Sequence, residues 1–180
     1  MSENSALLTP IRQRAENLYA TKQLLCTEAV LVALNEGFEG GLSREQAVGL
    51  TAGMTIGLGG SGCLCGAVSG GVLGIGLILG GDAPHKHRAE IRRVVNAFHD
   101  QFKTAHRSTC CRVLTKSVKE DTKAHFLQCQ DLTGEATEMA GQLILAHRPA
   151  LAATALPDPI QKRDSALTGR LKWLARCIFG

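Results

Sequence analysis

Residues 60–80 read GSGCLCGAVSGGVLGIGLILG. No residue in this stretch is charged, and two cysteines, Cys63 and Cys65, stand one residue apart near its start. Nothing in it alternates at the two-residue period of a strand. Instead Gly66, Ser69 or Gly70, and Gly74 recur at three- and four-residue intervals, which places small residues on one face of a helix and lets a neighbouring helix come close. Glycine costs a helix up to about 1 kcal/mol per residue, so close packing or a bound group must offset it. The expectation is a buried, glycine-rich helix over residues 63–80, entered through a turn at GLGGSG (57–62).

The flanking sequence extends this into a helical protein. The uncharged run from Gln46 to Gly81 is long enough to cross a bilayer. The turn inside it, its glycine density and its mixed-sign flanks (Arg44, Glu45, Asp82) favour a buried helix pair over a membrane span. Upstream, Thr9-Pro10 resembles an N-cap followed by proline at the first helical position, and it predicts one long helix to about Gly37 with Cys26 at its middle. Ser43 and Gln46 form a capping box that starts a second helix, expected to reach Ile56. Downstream, Ile91, Val94, Val95, Phe98 and Phe102 form the apolar stripe of a polar-faced helix. A further helix begins near Asp121 and continues through GQLILAH. The fold class is therefore all-α: a single-domain multi-helix bundle with a glycine-rich central helix pair. Residues 1–148 form the cysteine-containing helical domain, and residues 149–180 a connector and a short amphipathic helix carrying Cys177, which reads as packing.

Composition narrows the function. The 180-residue chain carries 20 Lys and Arg against 16 Asp and Glu, a formal charge of +4, too mild for a dedicated nucleic-acid binder. Its basic excess is concentrated from Lys86 to Lys123, which reads as a solvated face able to steer an acidic redox partner. With aromatics at only 4%, aliphatic side chains and cysteine must fill the core. The first 25 residues lack the apolar stretch of a signal peptide, so the thiols are expected in a reducing cytoplasm. Seven cysteines there read as a metal, cluster or redox site before structural disulfides.

The cysteines are Cys26, Cys63, Cys65, Cys110, Cys111, Cys129 and Cys177. No CxxC pair occurs, which speaks against a thioredoxin motif or a zinc ribbon, and no CxxCH is present for covalent haem. Thiols from four separate segments are able to enclose a metal or an iron–sulfur centre. Glycines beside Cys65 offer clearance, and helix N-terminal amides near it would stabilise a thiolate or a negatively charged cluster. His85 and His87, and His125 one turn before Cys129, are weaker ligand candidates and read more simply as surface residues.

Four matches in chain order carry a family resemblance. They are Cys26-Thr27-Glu28-Ala29-Val30, Cys65-Gly66-Ala67-Val68-Ser69-Gly70, Cys111-Arg112-Val113-Leu114 after the Phe102 helix, and Cys129. Over roughly residues 15–140 the chain resembles the redox-active family named for the cysteine pattern C_GCAxxG_C_C, and a related domain in split-Soret cytochromes is associated with an iron–sulfur centre. The resemblance implies Cys26, Cys65, Cys111 and Cys129 as cluster ligands. Cys63, Cys110 and Gly66 are secondary candidates. Cys63 and Cys110 are additional to the family pattern: each is a substitute ligand, a resolving thiol or filler. The expected function is an iron–sulfur electron-transfer or redox-sensing protein, in which a homodimer is compatible with the small-residue packing face. The alternatives are a metal-free dithiol/disulfide oxidoreductase and a structural zinc module.

Overall fold

The structure, a computed structural model, describes residues 3–153, 160 and 163–179. In chain order the helices are α1 (Glu3–Ala20), α2 (Cys26–Gly37), α3 (Arg44–Thr51), a short turn α4 (Thr55–Gly59), α5 (Gly66–Gly80), α6 (Arg88–His106), α7 (Cys111–Leu114), α8 (Thr122–His147) and α9 (Ala166–Phe179). Short 3-10 turns join several of them, and no strand occurs among the described residues. The fold is all-α, as the sequence implies.

Helices α1, α2, α5 and α8 pack on one another, and α6 closes the face of α5. Leu7, Leu8, Ile11, Ala15 and Leu18 follow one another at helical spacing on α1 and are buried. The first four meet Leu132, Ala136, Ala140 and Ile144 of α8 in the main core, while Leu18 joins a second cluster with Leu24, Leu31 and Val32 of the α1–α2 turn and α2. Val94, Phe98 and Phe102 supply the α6 stripe, with Ile91 and Val95 half-buried at its margin. Arg14 and Glu36 pair at 2.8 Å to tie α1 to α2, and Arg12 reaches Glu138 at 2.7 Å to tie α1 to α8.

The tightest seam is between α5 and α2. A side chain added at Gly66 would strike Cys26 Sγ and come within 2.6 Å of Thr27 Oγ1; at Gly70 it would lie 2.7 Å from Val30 Cβ and 2.8 Å from the Thr27 carbonyl; at Gly74 it would strike Leu34. Three glycines four residues apart thus face Cys26, Val30 and Leu34, themselves four residues apart. Gly71 receives the Phe98 ring on the adjacent face.

Four boundaries differ from expectation. The first helix begins at Glu3 and takes Pro10 inside it. The expected single helix over 10–37 is two, because Lys22 turns into the left-handed region (φ 58°) and the amides of Gln23 and Leu24 both bond the Leu18 carbonyl. Glu28 then reaches back to the Leu25 amide at 2.8 Å and restarts the chain as α2. Cys26 is therefore the first residue of a helix, not the middle of one. The Ser43–Gln46 capping box is present, with Gln46 N–H on Ser43 Oγ at 3.2 Å and Ser43 N–H on Gln46 Oε1 at 2.8 Å, but α3 ends at Thr51 rather than Ile56. Helix α5 starts at Gly66, with Cys65 as its N-cap, rather than at Cys63. At 15 residues α5 is about 22 Å long, short of the ~30 Å hydrocarbon thickness, and among the described residues no helix is long and apolar enough to cross a membrane.

The seam makes opposite predictions for two glycines of one helix. Gly70→Ala should destabilise the protein by about 1–3 kcal/mol, because Val30 Cβ and a backbone carbonyl have little room to move. Gly76→Ala, with nothing within 4 Å, should stabilise it by about 0.5–1 kcal/mol through helix propensity. Urea midpoints of the two variants check both signs.

Candidate functional site

Three of the expected ligands stand where helices begin. Cys26 is the first residue of α2, Cys65 caps α5, and Cys111 opens the short α7. The fourth, Cys129, sits on the long helix α8, in the turn before Thr133, whose hydroxyl bonds the Cys129 carbonyl at 2.7 Å. Packing brings the four together. Cys26 Sγ lies against Gly66, so the starts of α2 and α5 abut. The Cys65 amide donates to the Thr109 carbonyl at 2.8 Å and the Arg112 amide to the Gly62 carbonyl at 2.9 Å, which stitches the segment before α5 to the start of α7. Cys111 Cβ fills the space over Gly57, 2.8 Å from where a β-carbon there would be.

The electrostatics of the thiols reflect this proximity. Burial pushes Cys65 up to about 12, with Cys26 and Cys111 adding to the rise. The amides of Ala67 and Val68, at the start of α5, face its sulfur and oppose the rise without closing as full cap hydrogen bonds. Burial likewise pushes Cys129 up to about 11, reinforced by Cys26 and Cys111 and opposed by a hydrogen bond with Tyr19. Cys111 is raised by burial and by Cys26, Cys110 and Cys63. The Tyr19 hydroxyl is raised chiefly by burial, then by Cys129, Cys26 and Cys111. Among the described residues the influences that oppose the rise are neutral donors: the Ala67 and Val68 amides at Cys65 and the Tyr19 hydroxyl at Cys129. Among the described residues no three His, Cys, Asp or Glu side chains are disposed to hold a single metal ion.

Cys63 and Cys110 lie beside Cys111 at the rim of this group. Cys63 is exposed and Cys110 half-buried. Cys110 Sγ donates to the Gly62 carbonyl at 3.1 Å, and a hydrogen bond between the two thiols is the main cause of a raised Cys63 pKa. The consecutive cysteines therefore face opposite ways, Cys111 toward Gly57 and Cys110 toward Cys63. His85 is exposed, and His87 pairs with Glu90 at 3.4 Å near the opposite end of α5. His125 is half-buried one turn before Cys129. The Cys177 side chain lies outside the described residues.

Two features were not visible in the sequence. One is Tyr19, which joins the thiol site to a cavity of about 720 Å³ lined mainly by Leu24, Phe126 and Trp173, with Lys22 and Arg170 at its polar edge. Tyr19 and Phe126 stack at 5.1 Å between centroids. The other is the left-handed form of the expected turn before α5, where Ile56, Gly57, Leu58, Gly59 and Gly60 all have positive φ. A left-handed run costs about 1–2 kcal/mol at each non-glycine residue. Its Gly57 brings the chain against Cys111, and the Ser61 hydroxyl pins it by donating to the Gly57 carbonyl at 2.8 Å.

A comparison with protein families matches residues 24–143 to the family described as "putative redox-active protein (C_GCAxxG_C_C)". The chain belongs to this family. The match spans all four of Cys26, Cys65, Cys111 and Cys129 and ends within α8. Searches of curated proteins and of solved structures give no significant match.

The raised thiols set the pH response of the metal-free protein. An unfolded thiol loses its proton near 9, whereas Cys129 keeps its proton to about 11 and Cys65 to about 12. Between those values the native state binds more protons than the unfolded one, so stability is full below pH ~9 and falls as pH rises toward ~12. Urea midpoints of metal-free protein taken across this window should decline, and Cys65→Ser should flatten the decline.

Proposed function

We infer that this family member is an iron–sulfur redox protein, serving electron transfer or redox sensing, with Cys26, Cys65, Cys111 and Cys129 holding the cluster. The observation that carries this reading is the convergence of four thiols from four elements, two of them at the N-termini of the longer helices α2 and α5, around the clearance left by Gly66. The donor set fits such a group. Thiolates are the usual ligands of iron–sulfur clusters. Thiol–disulfide exchange begins at an accessible thiol, whereas Cys65 is buried and burial raises Cys65, Cys111 and Cys129 alike. A structural zinc requires its donors within about 2.3 Å of one point, whereas a cluster spreads them over several irons.

A bound cluster would accept and release single electrons. The chain's own contribution is positional. Gly66 leaves room for Cys26 Sγ beside the start of α5. The amides of Ala67 and Val68 face Cys65 sulfur, and such donors stabilise negative charge and raise a cluster's potential. Tyr19 donates toward Cys129 and separates the thiols from the aromatic cavity. The basic residues from Lys86 to Lys123, including Arg92, Arg93, Arg112 and Lys116, are exposed, which suits docking of an acidic redox partner.

Anaerobic reconstitution with iron and sulfide should give brown protein with matching iron and sulfide content. Serine at Cys26, Cys65, Cys111 or Cys129 should each abolish most of that content, whereas Cys63→Ser and Cys110→Ser should retain it. Colourless wild-type protein without iron after reconstitution would sink the reading. Gly66→Ala, which crowds Cys26 Sγ, should lower iron retention about 10- to 100-fold as a supporting-residue change, measured by competition with a chelator.

A further inference from the structure

Cys63 and Cys110 are absorbed neither by the four-thiol site nor by the core. Two backbone hydrogen bonds, Cys65 N–H to Thr109 O at 2.8 Å and Arg112 N–H to Gly62 O at 2.9 Å, bracket them in register on facing segments. Between these bonds lie Cys63 and Leu64 on one segment, and Cys110 and Cys111 on the other. Cys111 turns inward over Gly57; Cys110 turns back to the Gly62 carbonyl, one residue from Cys63. Cys63 faces solvent, and the Ser61 hydroxyl fixes its carbonyl at 3.0 Å. The Arg112 side chain, on the Cys110 segment, packs against Gly62, the residue before Cys63. An exposed thiol, a half-buried thiol on the facing segment whose sulfur lies on the carbonyl of the preceding residue, and a nearby cation form the arrangement of an attacking and a resolving cysteine.

We propose that Cys63 and Cys110 form a second site, a thiol–disulfide exchange pair that reduces a disulfide-bearing substrate and closes as a Cys63–Cys110 disulfide. In the first step Cys63 sulfur, as thiolate, attacks one sulfur of the substrate disulfide. The substrate S–S bond breaks, one substrate thiol leaves with a proton, and a mixed disulfide remains on Cys63. In the second step Cys110 sulfur attacks Cys63 sulfur, and the second substrate thiol leaves with its proton. The chain loses two protons and two electrons, and the substrate disulfide gains them as two thiols. The closed disulfide would tie the left-handed turn to the start of α7, the two segments that carry Cys65 and Cys111.

The test treats full-length protein anaerobically with glutathione disulfide, both as purified and after iron–sulfide reconstitution, and maps disulfides by mass spectrometry. The expected result in both samples is a Cys63–Cys110 disulfide with release of two glutathione thiols per chain. Cys110→Ser should stop at a glutathione mixed disulfide on Cys63, with one thiol released. Cys63→Ser should react at least tenfold more slowly, because the half-buried Cys110 then has to begin the exchange. The proposal is overturned by a stable mixed disulfide on Cys63 in wild-type protein, by mapped Cys63–Cys65 or Cys110–Cys111 links, by release unchanged in Cys110→Ser, or by no reaction at Cys63. Iron content, read in the same samples, reports separately on the four-thiol site.

Discussion

The close approach of α5 to α2 is the constraint on which the rest depends. Gly66, Gly70 and Gly74 let the two backbones meet along a face lined by Cys26, Val30 and Leu34. A helix this rich in glycine forfeits propensity at several positions, and the burial of Val68, Ile75 and Leu79 in the common core offsets that loss. The same seam sets the register of the two helices, so that their first turns lie side by side. Because Cys26 begins one and Cys65 caps the other, packing of the bundle places two thiols together without a dedicated loop.

The electrostatic consequence follows from the geometry. Buried thiols near one another resist becoming thiolates, as the raised values at Cys65, Cys111 and Cys129 express. The opposing influences are the amides at the start of α5 and the hydrogen bond from Tyr19. Such a site favours neutral thiols when empty and gains most from a cation-bearing group that relieves the repulsion. The outer pair differs in exposure and in having Arg112 nearby, although Cys110 raises the Cys63 thiol as well. One stretch of sequence, residues 62–65, thus serves two environments separated by the width of the chain.

Among the described residues, two of the five non-glycine residues with positive φ lie at the same place. Ile56 and Leu58 adopt left-handed conformations although exposed at 62% and 47%, and neither gains burial in return. What the run achieves is the position of Gly57 over Cys111 and of Gly62 under Arg112. Strain that persists beside a cluster of nucleophilic side chains and nowhere in the packed helices fits a turn held for its site rather than for its stability.

Sequence by itself determined the elements whose causes are local. The Ser43 box, the helix start near Asp121, the α6 stripe ending at Phe102, and the four-residue glycine spacing each follow from hydrogen bonds or periodicities within one or two turns. So does the family pattern through Cys26, Cys65, Cys111 and Cys129, which named the inner four. Where the chain breaks helix on account of distant packing, the sequence was silent. Lys22 carries no turn signal of its own, and Thr9-Pro10 looks like a start although the helix runs through it. The left-handed run includes Ile56 and Leu58, residues that oppose that conformation. The facing of Cys63 and Cys110 across two segments, and the meeting of Tyr19 with Cys129, rest on contacts between residues dozens to more than a hundred positions apart. Only the tertiary structure decides those, because which way a side chain faces across two segments depends on the register between them, and no local preference encodes that register.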